Sequence, residues 1–372
     1  MRSIGGDRAI IIGDSFNNTL GLIRSLGEAK ILQKLILVGP DRLRVAKSRY
    51  LCEDDIYRVE GISDCLPLLL KLADKTSKQV IFCTNDRAAT FVDENEDILS
   101  RDYITPMRGK RLGEYMNKKK QCEFAVECGF DVPVSAIYRK GEIFPESIPF
   151  PLLLKPLVSI QGEKSDIHIC NNRMELQDAL KLESECEEYV VQEYIEKEFE
   201  INLIGVSTDR GIVLPGGVRK IRHYPTIYSP CSYGVYQSIE KLGFDTSVVQ
   251  RFIDRVGYRG PFSVELLHKG SKNYFMEVNF RNDGLAYAAT AAGANLPGIY
   301  MQFNGIPADI TVKETYMMDL SIDFCHYKDG NISLRRWLAD FIKTSCQLNF
   351  NWKDPAPTLY YYLDKFKRKI CR

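Results

Sequence analysis

Two short apolar runs near residue 270 are the feature that most constrains how this 372-residue chain folds. The runs 262–268 and 274–280 are rich in β-branched and aromatic residues, and a polar loop containing glycine separates them. This pattern predicts an antiparallel hairpin whose turn is centred near Ser271. Alternate residues of each strand then face the same side of the sheet.

The predicted hairpin carries a pair of acidic side chains on one face. A turn centred on Ser271 pairs Glu265 with Glu277. The two-residue period of a strand places Asn279 on the same face as Glu277, and Arg281 lies two residues further along. We therefore expect two carboxylates, an amide oxygen and a guanidinium on a single patch of the sheet.

Paired carboxylates on adjacent strands repel each other, so this patch needs a compensating cation. A hard divalent ion suits it, above all Mg²⁺, which usually binds together with substrate phosphates. Arg281 is then placed to bind a phosphate oxygen. The alternative is the solvated polar face of an ordinary antiparallel sheet. The combination of Glu265, Glu277, Asn279 and Arg281 favours the metal site.

The first hundred residues have the pattern of a parallel sheet. Apolar runs at 9–13 and 35–39 flank a helical pattern, and another run follows at 80–83. Ligands bind at the carboxyl ends of strands in such sheets, where Asp14 and Asn85 lie. These side chains either contact an organic substrate or cap their loops. Because the first turn lacks a G-x-G-x-x-G motif, we predict no dinucleotide site there.

Length and composition limit the possible classes. The length predicts two or three domains, which we place at residues 1–108, 109–305 and 306–372. The sequence contains 50 basic and 49 acidic residues, so its net charge favours neither a nucleic acid nor a membrane surface as the main partner. Eleven cysteines without a C-x-x-C pair indicate free thiols, and no apolar run reaches the roughly 18 residues of a membrane span. The predicted location is the cytoplasm.

The order of charged motifs along the chain resembles that of the ATP-grasp superfamily. Glu265, followed by Glu277-Val-Asn279-Phe-Arg281, resembles the metal-binding glutamate and the E-x-N-x-R motif of that family. The resemblance covers about residues 111–305, and the region before it resembles the pre-ATP-grasp domain. It implies an α/β protein, with an N-terminal parallel sheet followed by an α+β ATP-grasp fold that binds ATP between two subdomains. It also implies that Mg²⁺, or Mn²⁺ in its place, bridges these side chains and the ATP phosphates.

Two lysines resemble the phosphate contacts of the family. Lys155, within an apolar strand, resembles the lysine that contacts the α- and β-phosphates. Lys118 resembles the first nucleotide-binding lysine, although Lys119 and Lys120 leave its register open. On its own, Lys155 also fits a strand lysine whose stem follows the apolar surface. The loop 159–165 departs from the family's glycine-rich phosphate loop, because it contains one glycine.

The contacts to the nucleoside are implied by the same resemblance. The segment of Gln192, Glu193, Tyr194 and Ile195 resembles the strand that contacts the adenine. Glu198 resembles the acid that binds the ribose hydroxyls. An exposed strand face is the alternative for Glu193 and for Glu198.

The activity that the resemblance implies is that of an ATP-dependent carboxylate–amine ligase. Such an enzyme forms an amide bond through an acyl phosphate and releases ADP and phosphate. Arg281, Lys220 and Arg222 are the predicted catalytic residues, and they would bind a substrate carboxylate or the γ-phosphate. The alternative for Lys220 and Arg222 is a solvated strand end.

The overall plan is similar to D-aspartate ligase-like and carbamoyl-phosphate-synthase-like enzymes. Small-molecule carboxylates and amines are the expected partners, without nucleic acid or a membrane span, and a homodimer remains open. Two other functions compete with the ligase. One is bicarbonate activation, as in carbamoyl-phosphate-synthase-like enzymes or carboxylases. The other is a catalytically inactive nucleotide-binding protein.

Overall fold

A computed structural model of the chain describes residues 8–39, 43–74, 76–106, 112–156, 168–182, 187–227, 229–302 and 310–370. These residues form three β-sheets, of five, four and seven strands. Strands β1 to β16 and helices α1 to α14 are numbered in chain order. Within the described ranges, no helix is both long and apolar enough to cross a membrane.

The first sheet is parallel, which confirms the predicted N-terminal architecture. Its strands lie in the order β3-β2-β1-β4-β5. The apolar strands β1 and β4 lie inside it, because helices cover both faces of a parallel sheet. Its elements are β1 Arg8–Gly13, α1 Asn17–Glu28, β2 Leu32–Val38, β3 Ile56–Val59, α2 Cys65–Leu72, β4 Gln79–Cys83, α3 Asp86–Glu94, α4 Glu96–Leu99 and β5 Tyr103–Ile104, with turns of 3-10 helix at Val45–Lys47, Glu53–Asp55 and Ile62–Asp64.

The second sheet is small and antiparallel, with the strand order β6-β9-β7-β8. Between residues 112 and 193 the chain forms α5 Leu112–Tyr115, α6 Lys118–Cys128, β6 Ser135–Arg139, β7 Leu152–Pro156, β8 His168–Cys170, α7 Arg173–Leu182 and β9 Glu188–Glu193. Helices α5 and α6 follow each other with two residues between them. Helix α6 is fixed to the third sheet rather than the second, because the amide of Gln121 bonds both backbone groups of Val278 at 3.0 and 2.8 Å.

The third sheet has the order β14-β13-β10-β11-β12-β15-β16 and is antiparallel except between β15 and β16. Its strands and helices are β10 Phe199–Thr208, β11 Gly211–His223, β12 Cys231–Ser238, α8 Ile239–Leu242, α9 Ser247–Val256, β13 Gly260–Lys269, β14 Lys272–Asn279, α10 Tyr287–Ala291, α11 Leu296–Gln302, β15 Thr315–Met318, α12 Leu320–Lys328, α13 Leu334–Lys343, β16 Thr344–Gln347 and α14 Ala356–Ile370. Strands from the last sixty residues thus complete the sheet that carries the predicted hairpin.

The first and third sheets share one apolar core, in which α1 packs against α10 and α11. A buried ion pair also joins them, since Nε of Arg24 in α1 lies 3.1 Å from Oδ2 of Asp354. The predicted domain boundaries fall in 107–111 and 303–309, which lie outside the described residues. The division into three domains therefore stays a prediction.

Candidate active site

The hairpin of β13 and β14 pairs Glu265 with Glu277, as the sequence predicted. Its turn is tighter than predicted, because Lys269 pairs with Lys272. Two residues remain for the turn, and Gly270 adopts a left-handed φ of 61° that suits glycine there.

A β-bulge restores the predicted pairing despite the displaced turn. Continued without interruption, the register of the turn would pair Glu265 with Met276. The register shifts by one residue between the pairs Leu266–Phe275 and Glu265–Glu277, so that Met276 is the extra residue. The two carboxylates therefore share a face.

A third strand extends this acidic row. Asn202 of β10 lies directly across from Glu265, so Asn202, Glu265 and Glu277 follow one another across three strands. Asp283 lies beside the row and accepts hydrogen bonds from Asn202 Nδ2 and Ser263 Oγ, each at 3.0 Å. We call Glu200, Asn202, Glu265, Glu277 and Asp283 together the acidic face.

Lys220 neutralises the acidic face from the neighbouring strand β11. Its Nζ lies 3.0 Å from Oε2 of Glu265 and 2.9 Å from Oε2 of Glu200. Burial works against the charged ammonium, but the two carboxylates outweigh it and raise the pKa of Lys220. Burial also raises the pKa of Glu265, as do Glu277 and Asp283, whereas Lys220 opposes that rise. The face thus holds more acid than its own lysine neutralises.

Glu200 has two lysine partners. Besides Lys220, Lys197 forms an ion pair with it, and Lys197 also donates to the backbone oxygen of Ile227 at 3.0 Å. Burial alone would raise the pKa of Glu200, but the two lysines lower it to about 2. Glu200 is therefore held ionised at the edge of the acidic face.

Arg281 connects the acidic face to the first sheet. Its Nη2 donates to Oδ1 of Asn279 at 2.9 Å, and its Nε lies 2.7 Å from Oδ1 of Asp86 at the start of α3. Burial would lower the pKa of Arg281, but the carboxylates around it raise it. The side chain therefore stays charged between the predicted metal site and the carboxyl ends of the parallel strands. Asn85, beside Asp86, caps α3 by accepting from Ala88 N at 2.8 Å.

Arg222 is engaged elsewhere. Its guanidinium bonds both carboxylate oxygens of Asp323 at 3.0 and 2.8 Å, and its Nη1 lies 2.6 Å from Oδ2 of Asp340. The guanidinium also lies over the ring of Tyr233, with Cζ of Arg222 4.2 Å from the ring centre. Arg222 thus fastens helices α12 and α13 to the strand. Its predicted catalytic role remains untested, and this geometry gives it no support.

The predicted nucleotide residues lie on the second sheet and the segment leaving it. Lys155 is partly buried on β7, opposite Val190 of β9, and Gln192 is buried on β9. Lys118 is the first residue of α6, but its side chain and that of Lys119 lie outside the described part, as does the loop 159–165.

The segment that follows β9 has one backbone donor without a partner among the described residues. The N–H groups of Glu193 and Tyr194 donate to Val134 O and Pro151 O at 2.8 and 3.1 Å. That of Ile195 bonds to no atom of the described residues. Both the adenine contacts and the roles of these side chains stay predictions.

Glu198 points to the hairpin turn rather than to the acidic face. Its Oε1 accepts from the backbone N–H of Gly270 at 2.9 Å, and its side chain is exposed. Glu200, two residues later, lies beside Lys220 on the acidic face. The predicted ribose contact of Glu198 therefore has a nearby competitor in Glu200.

The acidic face suits a hard metal ion by its donor chemistry. The buried Oδ1 of Asn202, opposite Glu265, has no hydrogen-bond partner among the described residues. Within the same residues, no group of three or more His, Cys, Asp and Glu side chains is placed to hold a metal. Two carboxylates and amide oxygens fit Mg²⁺, which takes its remaining ligands from phosphates and water.

Curated relatives match part of the chain, whereas no protein-family model matches it. Formate-dependent phosphoribosylglycinamide formyltransferase from a Nitratiruptor species is 28% identical over 181 residues, 46% of this chain and 45% of that protein. Its counterpart from a Sulfurovum species is 26% identical over 173 residues, 45% and 44% of the two chains. The matches span less than half the length of either relative.

Solved structures match most of the chain. N5-carboxyaminoimidazole synthetase from Staphylococcus aureus has a TM-score of 0.66 at 16% identity, over 87% of this chain and 85% of that chain. The L-amino acid ligase from Bacillus licheniformis has a TM-score of 0.59 at 12% identity, over 81% and 75%. Both neighbours are ATP-grasp enzymes. The chain has the ATP-grasp fold. The predicted fold class is thereby confirmed.

Within this ATP-grasp fold, sequence reasoning missed four polar residues beside the predicted site. Asn202, Asp283 and Glu200 belong to the acidic face, and Lys197 pairs with Glu200. Alternation along β10 offered a signal, because Glu200 and Asn202 are two residues apart in an otherwise apolar strand. The pairing of β10 with β13 could not be deduced from local pattern, and it is this pairing that joins them to Glu265.

Proposed function

We propose that the chain is an ATP-dependent carboxylate–amine ligase. ATP phosphorylates a carboxylate, an amine displaces phosphate from the acyl phosphate, and an amide bond forms with release of ADP and phosphate. The observation that carries the proposal is the acidic face, where Glu265 and Glu277 are paired and Lys220 is positioned beside them. Charge neutralisation of this kind, together with positioning, accounts for most of phosphoryl-transfer catalysis.

The metal site of the proposal uses the residues predicted from the sequence. Glu265, Glu277 and Asn279 would hold Mg²⁺, or Mn²⁺ in its place, which when bound neutralises phosphate charge. Asn279 accepts from Arg281 in the structure, so Arg281 would lie beside a metal held there and would bind the phosphate or the acyl group. The unpartnered Oδ1 of Asn202 supplies a further oxygen donor next to Glu265.

The nucleotide is contacted from both sheets in this proposal. Lys155 and Lys118 donate to the α- and β-phosphates, and Lys220 donates to the γ-phosphate. The N–H of Ile195 bonds the adenine edge, supported by its lack of a partner among the described residues. For the ribose hydroxyls we favour Glu200 over Glu198, because Glu200 lies on the acidic face whereas Glu198 accepts from the turn at Gly270.

The carboxylate and amine bind between Arg281 and the carboxyl ends of the parallel strands. Arg281 reaches Asp86 there, and ligands of such sheets bind at that edge. Asp14 lies at the same edge and accepts from Asn85 Nδ2 at 2.9 Å. Carboxylates at this position suit the ammonium form of an amine substrate before it loses its proton.

The reaction needs no covalent enzyme nucleophile. Burial raises the pKa of the Cys231 thiol to about 12 and that of Cys346 to about 12, so both stay protonated at neutral pH. The described cysteines form no disulfide. Free thiols support a cytoplasmic location as part of the proposal.

The relatives support the ligase by the substrates in their names. One is an amino acid ligase, and another is named for its dependence on formate, a carboxylate, and for a formyl transfer. A second function, bicarbonate activation, is favoured by neighbours whose names contain a carboxyamino product or biotin carboxylase. Both functions use the same acidic face.

An ADP-release screen tests the proposal and separates the two functions. Purified protein receives Mg·ATP with pairs of carboxylic acids and amines, with bicarbonate as a separate arm, and products are detected by mass. The ligase predicts ADP release that requires a carboxylate and yields a condensation product of that acid and an amine. ADP release with bicarbonate alone would favour the second function.

The variant Glu277→Gln provides the internal check, with Glu142→Gln, an exposed glutamate distant in sequence, as the control. We expect the first to lose ADP release and the second to keep it. Full turnover by Glu277→Gln would overturn the metal site. Absence of ADP release across the whole panel would favour an inactive nucleotide-binding protein.

A further inference from the structure

Helix α14 is fixed to the protein by one of its faces. Pro357 is buried on that face, and Arg44 lies 5.2 Å from the ring centre of Tyr361. The helix contacts the 3-10 turn Val45–Lys47 of the first sheet's domain. These contacts set which way the remaining faces of α14 point.

Large apolar side chains occupy the opposite face of α14. Leu359, Tyr362, Leu363 and Phe366 recur at spacings of three or four residues and fall within an arc of about 100°. Each side chain is between 49% and 63% exposed. A contiguous apolar stripe of this kind marks an interaction surface rather than ordinary scatter. We call these four residues the α14 stripe.

Basic residues border the α14 stripe. Lys365 and Lys367 are exposed, one on each side of it. In sequence, 356–372 contains five basic residues and one acidic residue, a net charge of +4. Because the whole chain carries +1, all the rest carries −3. The segment of sequence that contains α14 is therefore basic, whereas the rest of the chain is slightly acidic.

We infer that α14 binds the surface of an anionic lipid bilayer. An apolar helical face flanked by lysines is the pattern of helices that lie in the interface plane, with the apolar side chains among the acyl chains and the lysines at the headgroups. The inference goes beyond the ligase activity, because the stripe belongs to a different helix from any residue assigned to the acidic face.

A second copy of this chain fits the α14 stripe less well. Two copies meeting through the same face would bring their lysines together, where like charges repel. A 15-residue helix is about 22 Å long and about 10 Å wide. A stable interface buries about 800 Å² on each partner, which is far more than one face of such a helix offers. A bilayer supplies both the opposite charge and the apolar depth.

Vesicle flotation tests the inference with the full-length protein. Wild type is mixed with vesicles of phosphatidylcholine alone or of phosphatidylcholine with phosphatidylglycerol. The stripe variant is Leu359→Gln/Leu363→Gln/Phe366→Gln. The control variant, Ile143→Gln/Met174→Gln, removes apolar side chains elsewhere that are more exposed than those of the stripe. Thermal unfolding midpoints confirm that both variants fold, since the altered side chains are exposed.

We expect wild type and the control variant to float with the anionic vesicles and not with the neutral ones. The stripe variant should bind at least about tenfold more weakly, and so should Lys365→Glu/Lys367→Glu. Salt at about 1 M should also weaken wild-type binding, because it screens the lysines. Wild type that fails to bind anionic vesicles, or a stripe variant that binds as wild type does, would overturn the inference. A wild-type dimer that the stripe variant dissociates would overturn it in favour of a second copy.

Discussion

Lys220 and Arg222 lie two residues apart on strand β11, and each holds two carboxylates. Lys220 faces Glu200 and Glu265, whose side chains are 15% and 29% exposed, on the acidic face. Arg222 faces Asp323 of α12 and Asp340 of α13, both of which are buried. The register between β11 and β12 shifts between Lys220 and Arg222 and again between Arg222 and His223.

The difference shows that the exposure of the carboxylates, rather than the type of cation, distinguishes a ligand-binding ion pair from a structural one. Carboxylates that reach solvent can exchange their lysine for a ligand at a smaller cost than buried ones, because water hydrates them. Carboxylates that are buried keep their arginine, because losing it would leave charge without compensation. We therefore propose a role in the chemistry for Lys220, whereas Arg222 attaches the C-terminal helices to the strand.

Removing the arginine should have the largest effect. Arg222→Ala leaves the buried carboxylate of Asp323 without a cationic partner among the described residues and leaves Asp340 with Arg336 alone, at 3.1 Å. We expect it to lower the free energy of unfolding by about 3–5 kcal/mol. Arg219→Ala is the matched control on the same strand, since Arg219 is exposed, and we expect a change below about 1 kcal/mol. Urea unfolding of both variants measures the difference. Equal free energies of unfolding for the two variants would contradict the structural role of Arg222.

Removing the lysine should affect activity instead. Lys220→Met removes the donor that we propose for the γ-phosphate, and we expect kcat/KM for ATP to fall about 10²–10³-fold. The fold should persist, because Glu200 and Glu265 retain contact with water. Steady-state ADP release gives the rate, and circular dichroism checks the fold. Unchanged kcat/KM, with intact structure, would contradict the assignment of Lys220.

Acidification should weaken the ion pair between Lys220 and Glu200, because it protonates Glu200. Its pKa of about 2 lies below the usual value of 4.5, so its stabilising contribution is present above about pH 4.5 and is lost as pH falls towards 2. We expect about 2–3 kcal/mol over that window, from the size of the shift. Glu200→Gln should accordingly be less stable at neutral pH and lose less stability on acidification. Urea midpoints at several pH values measure this, and parallel curves for the two proteins would rule the contribution out.

The smallest expected effect distinguishes the two candidate ribose acids. Glu198→Gln should change KM for ATP by less than about threefold, because its carboxylate bonds the turn at Gly270. Glu200→Gln should raise KM by about tenfold, since it removes a charged acceptor on the acidic face. The KM values from ADP-release assays decide, and the reverse order would restore the sequence-based choice of Glu198.

The sequence predicted those parts of the molecule that depend on local pattern. Strand alternation placed Glu265 opposite Glu277, and the apolar runs gave the parallel first sheet. The tighter turn was missed because the bulge at Met276 leaves no simple signal. The motif order predicted the ATP-grasp fold.

What the sequence could not predict depends on contacts between distant segments. Arg222 and Lys220 look alike in sequence, and Asp323 and Asp340, which distinguish them, follow more than a hundred residues later. Asn202 and Glu200 join the site because β10 pairs with both β11 and β13. The position of Glu200 beside Lys220 depends on the same pairing, so the prediction of Glu198 for the ribose was made without Glu200 as an alternative.

The most direct test of the account measures nucleotide binding with and without metal. Calorimetry follows a non-hydrolysable ATP analogue binding to wild type and to Glu265→Gln/Glu277→Gln, which removes both carboxylates while keeping their shape. If the acidic face binds a metal–nucleotide complex, Mg²⁺ should strengthen binding by at least about tenfold in wild type and have no effect in the variant. An equal effect of Mg²⁺ on both proteins would contradict the account.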